Sequence, residues 1–110
     1  MELVSFKEFQ AIEIKAAKVS NVEEIEGKDK LYKMGIDLGS EKRTIVAGIK
    51  PFYSKEDLVG KLIVVIANMD PATIAGIKSE AMLLAVKNKD GEYSLITVDS
   101  ENIEAGAKVE

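Results

Sequence analysis

The sequence predicts an all-β fold, a five-stranded Greek-key barrel with a short helix between the third and fourth strands and a C-terminal β-hairpin arm. Three observations predict it. Tyr32, Met34, Ile36 and Leu38 alternate with Lys33, Gly35 and Asp37, the period of a strand with one buried face. Leu62 to Ala67 is six apolar residues in a row, bounded by Gly60-Lys61 and Asn68, which reads as a strand buried on both faces. Only one segment, around residues 54–60, carries helix signals.

Each element follows in chain order. From Phe9 to Ile25 the chain is strand-like, with Ile12 and Ile14 facing one way and Glu13 and Lys15 the other. The alternation slips at Ala16-Ala17 and resumes in the opposite phase at Val19, as a β-bulge makes it do where a long strand bends around a barrel. Glu26-Gly27-Lys28-Asp29 breaks the pattern before the strand that starts at Leu31. Gly39-Ser40-Glu41-Lys42 is a turn, and Arg43 to Ile49 is the hairpin partner beyond it. Ser54 stands three residues before Asp57 and is followed by Leu58-Val59-Gly60, which gives a very short helix its N-cap, acidic first turn and terminal glycine.

Asn68 to Ser79 reads as a structured loop, because Asp70-Pro71 and Gly76 oppose a long regular element, with Ile74 and Ile77 as anchors. Ala81 to Val86 is the next strand, Asn88-Lys89-Asp90-Gly91 a hairpin turn, and Tyr93 to Val98 the return. Gly106 to Val109 reads as a short extended tail.

With 110 residues, 46% of them apolar, the chain fits one compact domain over residues 1–110 and leaves no room for a second. Neither a charged leader with an apolar core nor an apolar run long enough to cross a bilayer is present, so a soluble, cytoplasmic protein is expected. Cysteine and histidine are both absent, which excludes disulfides, thiolate nucleophiles, Ser-His-Asp triads and the usual zinc sites. No pair of carboxylates stands at a spacing that points to acid/base chemistry. No catalytic residue, metal site or cofactor is expected.

The net charge of -4 argues against indiscriminate coating of nucleic acid, which rests on neutralising many phosphates with Lys and Arg. The charge is unevenly spread. Residues 28–55 hold seven basic and three acidic groups, whereas both flanking segments are acidic. This basic island consists of Lys28, Lys30, Lys33, Lys42, Arg43, Lys50 and Lys55, with the only arginine of the chain among them.

The order of elements, three strands, a short helix, two more strands and a terminal arm, is that of an OB barrel. Such barrels bind nucleic acid on strands two and three, between the loop joining strands one and two and the loop joining strands four and five. Here those parts are Leu31 to Ile49, Glu26 to Lys30 and Asn68 to Ser79. The island falls on the first two: Lys33 on the solvent side of strand two, Lys42 and Arg43 at the turn into strand three, Lys28 and Lys30 in the first loop. This placement makes them candidate phosphate contacts. Few aromatics are free to stack bases, since Tyr32 shares its phase with core residues and Phe52 and Tyr53 can cap the barrel. A shaped RNA held by its backbone therefore fits better than a single strand.

The residues that carry these features resemble a known family. Lys28-Asp29-Lys30-Leu31-Tyr32, Ile36-Asp37-Leu38-Gly39 and Arg43-Thr44-Ile45-Val46-Ala47-Gly48-Ile49 are similar to the first half of the tRNA-binding domain appended to methionyl-tRNA synthetases. Ala67-Asn68-Met69-Asp70-Pro71 and the stretch from Ile74 to Ala85 are similar to its second half. The resemblance implies recognition of the tRNA elbow by shape, as the β-subunit or accessory factor of a methionyl-tRNA synthetase, with tRNA, a second copy of the chain and the synthetase as partners. DNA and membranes are not implied. It also implies site residues: Lys30 and Arg43 on phosphates, Asn68 and Ser79 at sugar or base edges, and Met82 against an unstacked base, although core packing is the commoner use of a methionine between Ala81 and Leu83. Lys78 is the one cation in the second loop, where Asp70, Thr73 and Ala75 stand in place of the family's basic residues. A second branch of the family, secretion chaperones that capture unfolded peptides in a dimer, is the alternative.

Overall fold

The computed structural model describes residues 1–110. Nine strands and two short helices follow one another as α1 (Phe6–Gln10), β1 (Ile14–Ile25), β2 (Lys28–Asp37), β3 (Lys42–Ala47), α2 (Lys55–Leu58), β4 (Leu62–Ile66), β5 (Ala72–Ile74), β6 (Ile77–Ser79), β7 (Met82–Leu83), β8 (Ala85–Lys87) and β9 (Tyr93–Leu95). Five of them form one antiparallel sheet in the order β3-β2-β1-β4-β7, while β5-β6 and β8-β9 are separate hairpins. The long β1 pairs with β2 on one side and β4 on the other, so that the sheet curls into an OB-like barrel.

The alternating strand behaves as its pattern demands. Tyr32, Met34, Ile36 and Leu38 are all buried, and they meet Ile45, Ala47, Leu58, Ile63 and Val65 in one core. Directly paired residues share a sheet face, so the register Tyr32↔Ala47 and Met34↔Ile45 brings buried residue to buried residue. The Tyr32 hydroxyl satisfies itself by donating to the Tyr53 carbonyl at 2.8 Å. Helix α2 forms where its caps place it: Ser54 Oγ accepts from the Asp57 amide, and Gly60 takes φ +88 beyond its end. Leu58, its inward residue, is fully buried.

Four expectations are corrected. The chain before β1 is not an extension of that strand but α1, because Ser5 and Glu8 form a capping box in which the Ser5 side chain accepts from the Glu8 amide and the Glu8 carboxylate from the Ser5 amide. Ile12 consequently stays exposed. The bulge does not lie at Ala16-Ala17, which pair with β4 in unbroken register; it lies at Ser20, where the register with β2 jumps from Val19↔Ile36 to Asn21↔Gly35. Ala16 and Ala17 are both buried for different reasons. Ala17 faces the core, and Ala16 is covered by the C-terminal strap, whose Ala107 carbonyl and Gly106 amide bond to it at 2.8 and 2.7 Å.

The loop after β4 contains the β5-β6 hairpin, turned by Ala75 at φ 52 and Gly76 at φ 77. These two left-handed residues make the type of two-residue turn that matches strand twist, and the signal was weak because Ala rather than Asn or Asp fills the first position. The strand expected from Ala81 to Val86 is divided between two sheets. At Leu84 the chain leaves β4 for β9: its amide donates to Val64 and its carbonyl accepts from Ile96.

Candidate nucleic-acid interface

The basic island does not form one patch. Lys28 and Lys30 belong to β2 itself rather than to a loop, since β1 and β2 turn through only Glu26-Gly27. Lys42 pairs with Asp37 at the opposite end of β2. Seven residues of strand, roughly 20 Å, separate the two groups.

Ion pairing thins the island further. Lys33 Nζ is 3.6 Å from Glu23, and Lys50 and Lys55 both hold Glu24, at 2.8 and 3.7 Å. The hydrogen bond and charge of Lys50, with the charge of Lys55, keep the Glu24 carboxyl below the usual carboxylate range, and the hydrogen bond that Lys50 donates to Glu24 raises Lys50 in turn. Lys28, Lys30, Lys42 and Lys78 are exposed, and none of them stands within 4 Å of a carboxylate.

Arg43 is held differently. Its Nη1 donates to the Ala67 and Glu80 carbonyls, and its Nη2 bonds to the Glu41 carboxylate. Asn68 is also occupied: its Oδ1 accepts from the Glu13 amide at 2.8 Å and its Nδ2 donates to the Ala11 carbonyl at 2.7 Å. Ser79 is buried, with Oγ accepting from the Val46 amide at 3.0 Å and donating to the Ala81 carbonyl at 3.4 Å. All three tie the segment between β4 and β7 to the rest of the chain.

Met82 is not in the core. It is 42% exposed, because β7 lies at an edge of the sheet and only its neighbour Leu83 packs against the core cluster. Its side chain lines an apolar pocket of about 490 Å³. One wall is the end of β3 with Gly48 and Ile49, the other is the hairpin with Met69, Asp70, Ala72, Ile74 and Ser79, and the floor runs from Ala81 to Ala85. Met69, Met82 and Tyr93 are lining residues that remain substantially exposed. Of the polar side chains, Ser79 is already bonded, which leaves Asp70 and the Tyr93 hydroxyl. Such a pocket suits a flat, weakly polar group, since thioethers and a ring edge are polarizable partners for one.

Free cations stand on the elements that form or adjoin its walls but do not line it. The Lys30 carbonyl accepts from the Lys50 amide across the β2 edge at 3.3 Å and adjoins pocket-lining Gly48, while Lys78 pairs with Thr73 on the hairpin face opposite to Ala72 and Ser79, which line the pocket. Met69, Asp70 and Tyr93 were not candidates from sequence. Met69 stands beside Asn68 with no motif to mark it, and Tyr93 reaches the pocket only because the β8-β9 hairpin folds back, its ring in an edge-to-face contact with Phe52 at 5.8 Å between centroids.

The family model described as "Putative tRNA binding domain" matches residues 14–108. Over 109 residues, 99% of this chain, the sequence is 45% identical to a methionine–tRNA ligase of Methanocaldococcus jannaschii, and over 106 residues it is 49% identical to that of Thermotoga maritima. The chain spans about one-sixth of those relatives, 17% and 16% of their lengths. A methionyl-tRNA synthetase-related protein of Pyrococcus horikoshii superposes with a TM-score of 0.94 at 36% identity, covering all of both chains. The chaperone CsaA of Bacillus anthracis superposes at 0.89 with 27% identity, covering 99% of this chain and all of its own.

Proposed function

The chain belongs to the tRNA binding domain family, and from that premise we propose that it binds folded tRNA at the elbow and contributes no catalytic group of its own. The observation that carries the reading is the apolar pocket between β3 and the β5-β6 hairpin, with exposed, unpaired lysines on β2 and on the outer face of the hairpin. Phosphates on either side of an unstacked base would meet Lys30 and Lys28 along β2 and Lys78 on the hairpin, with the base against Met82 and Met69. Lys42 serves a phosphate further along the backbone, and Lys33 joins it by giving up Glu23. So few contacts make binding weak and its salt slope shallow. Weak binding suits the β-subunit or accessory factor of a methionyl-tRNA synthetase in the cytoplasm, where association with the enzyme raises the effective concentration of tRNA.

A two-fold dimer is part of the proposal. Leu3, Val4, Phe6, Phe9 and Ile12 form an exposed apolar segment around α1, with Leu3 88% and Phe6 72% exposed. Isolated exposed apolar residues need no explanation, but a contiguous set on one short segment supports burial against a second copy.

The test is a gel shift of the purified protein with bulk tRNA and with an unfolded RNA of equal length, across a salt series. Preference for folded tRNA that fades as salt rises is the expected result. Equal binding to both RNAs, or none to either, would overturn the reading and favour peptide capture. The likeness to a chaperone, together with a pocket lined mainly by apolar residues, supports that second reading.

A further inference from the structure

We propose that Arg43 is a positioning residue: its guanidinium clamps both feet of the β5-β6 hairpin and so sets the width of the apolar pocket, and it does not itself meet an RNA phosphate. Its effect on RNA rests on the tRNA-binding reading above; the clamp does not.

The hairpin is not part of the barrel sheet. Its own two strands pair with each other through Ala72↔Ser79, Thr73↔Lys78 and Ile74↔Ile77, which leaves no continuous ladder to fix its angle to β3. Attachment therefore falls to individual bonds at its base. The chain enters the hairpin after Ala67 and leaves it at Glu80, and the carbonyls of both residues accept from the same Arg43 nitrogen. Glu41 holds the other nitrogen in the plane this requires. The incoming foot is also tied to the chain before β1, through Asn68 and the Ala67 amide, but the other bonds from β3, the Val46 amide to Ser79 Oγ, the Thr44 amide to the Glu80 carboxylate and the Glu80 amide to the Thr44 carbonyl at 2.9 Å, secure the outgoing foot alone. Among the bonds that β3 makes to this segment, only those of Arg43 reach the incoming foot as well.

The pocket lies between β3 and this hairpin, so the angle of the hairpin is the width of the pocket. A planar fork can serve two carbonyls and a carboxylate at once, whereas the single ammonium of lysine cannot hold three acceptors in that geometry. The side chain is only 23% exposed, which leaves little of it to offer a phosphate.

The discriminating experiment compares Arg43→Lys and Arg43→Ala with the parent chain, well below their melting temperatures, by tRNA affinity across a salt series and by hydrogen exchange of the free protein. The clamp predicts that hairpin amides from residue 72 to residue 79 exchange faster in both variants. It predicts an affinity loss of about tenfold in both, with an unchanged salt slope. A phosphate contact predicts otherwise: lysine would retain affinity, and alanine would lower the slope by about one. That result overturns the proposal, as does unaltered hairpin exchange in both variants. An arginine that merely stabilised the fold would leave the affinity of the folded variants at the parent value, which also overturns the positioning role. If the parent chain binds no tRNA, the functional reading fails while exchange still decides the clamp. Arg43→Lys, the milder change, keeps the test open if Arg43→Ala does not fold.

Discussion

Cations stand near both ends of β2, and Lys28 and Lys30 on one side and Arg43 on the other are used in opposite ways. At the start of the strand, Lys28 and Lys30 extend into solvent from a ribbon that closes through a two-residue turn. At its finish, the strand runs into Leu38 and Gly39, the C-terminal strap crosses it at Ala105 and Gly106, and Arg43 on the neighbouring strand is spent on three acceptors. The comparison teaches that a cation counted in sequence is not a cation available to a ligand. Availability depends on whether backbone carbonyls or carboxylates are brought within reach of that side chain: Lys42 beside Arg43 stays free, and Lys50 beside Lys30 is held by Glu24.

The largest effect that sharpens this contrast is expected at the crossing. Gly106 has φ +91, and a Cβ there would lie 2.1 Å from the Leu38 carbonyl oxygen, a backbone atom with nowhere to move. Gly106→Ala should cost about 3 kcal/mol in urea unfolding, through strain at positive φ and loss of the strap. Next is Arg43→Ala, which leaves two carbonyls without their charged donor. A loss of about 2 kcal/mol is expected by the same measurement, and an unchanged midpoint would break the claim that this end is clamped.

Lys30→Ala should do the reverse. Unfolding free energy should stay within about 0.5 kcal/mol of the parent chain, while the salt slope of tRNA binding should fall by about one. A destabilised Lys30 variant with an unchanged slope would dissolve the contrast between the two ends.

The smallest effect concerns the Glu24 cluster, in which Glu24 is exposed and Lys50 half-buried. The hydrogen bond and charge of Lys50 lower the folded-state pKa of Glu24, so its contribution to stability is complete above the unfolded carboxylate value and is lost as pH falls through the lowered one. Lys50 is raised, chiefly by its hydrogen bond to Glu24, so its contribution is complete below the ordinary lysine value and is lost as pH rises through the raised one. In an NMR titration, Lys50→Ala should return Glu24 toward its ordinary value. No movement would mean that the pair is a surface coincidence.

Much of the barrel was legible because its strongest signals are local. Alternation from Tyr32 to Leu38 names the buried face, the run from Leu62 to Ala67 names the strand covered on both sides, and Ser54 and Gly60 bracket α2. Ser5 and Glu8, three residues apart, carry a signal just as local, and their capping box makes α1. The break in alternation at Ala16-Ala17 is of another kind. Ala16 breaks the alternation only because a segment ninety residues later lies over it, and nothing adjacent to it in sequence announces that cover.

The sequence by itself determined the all-β class, the core face of β2, the helix before β4 and the family, because period, caps and motif spacing are properties of neighbouring residues. Only the tertiary structure decided which charges are free and where the pocket lies. Arg43, Asn68 and Ser79 are polar side chains that sequence offers equally to a ligand or to the backbone, and their partners, from Ala11 to Glu80, come from distant parts of the chain. A hydrogen bond is fixed by distance and direction between two atoms, and those are set only once the barrel has closed.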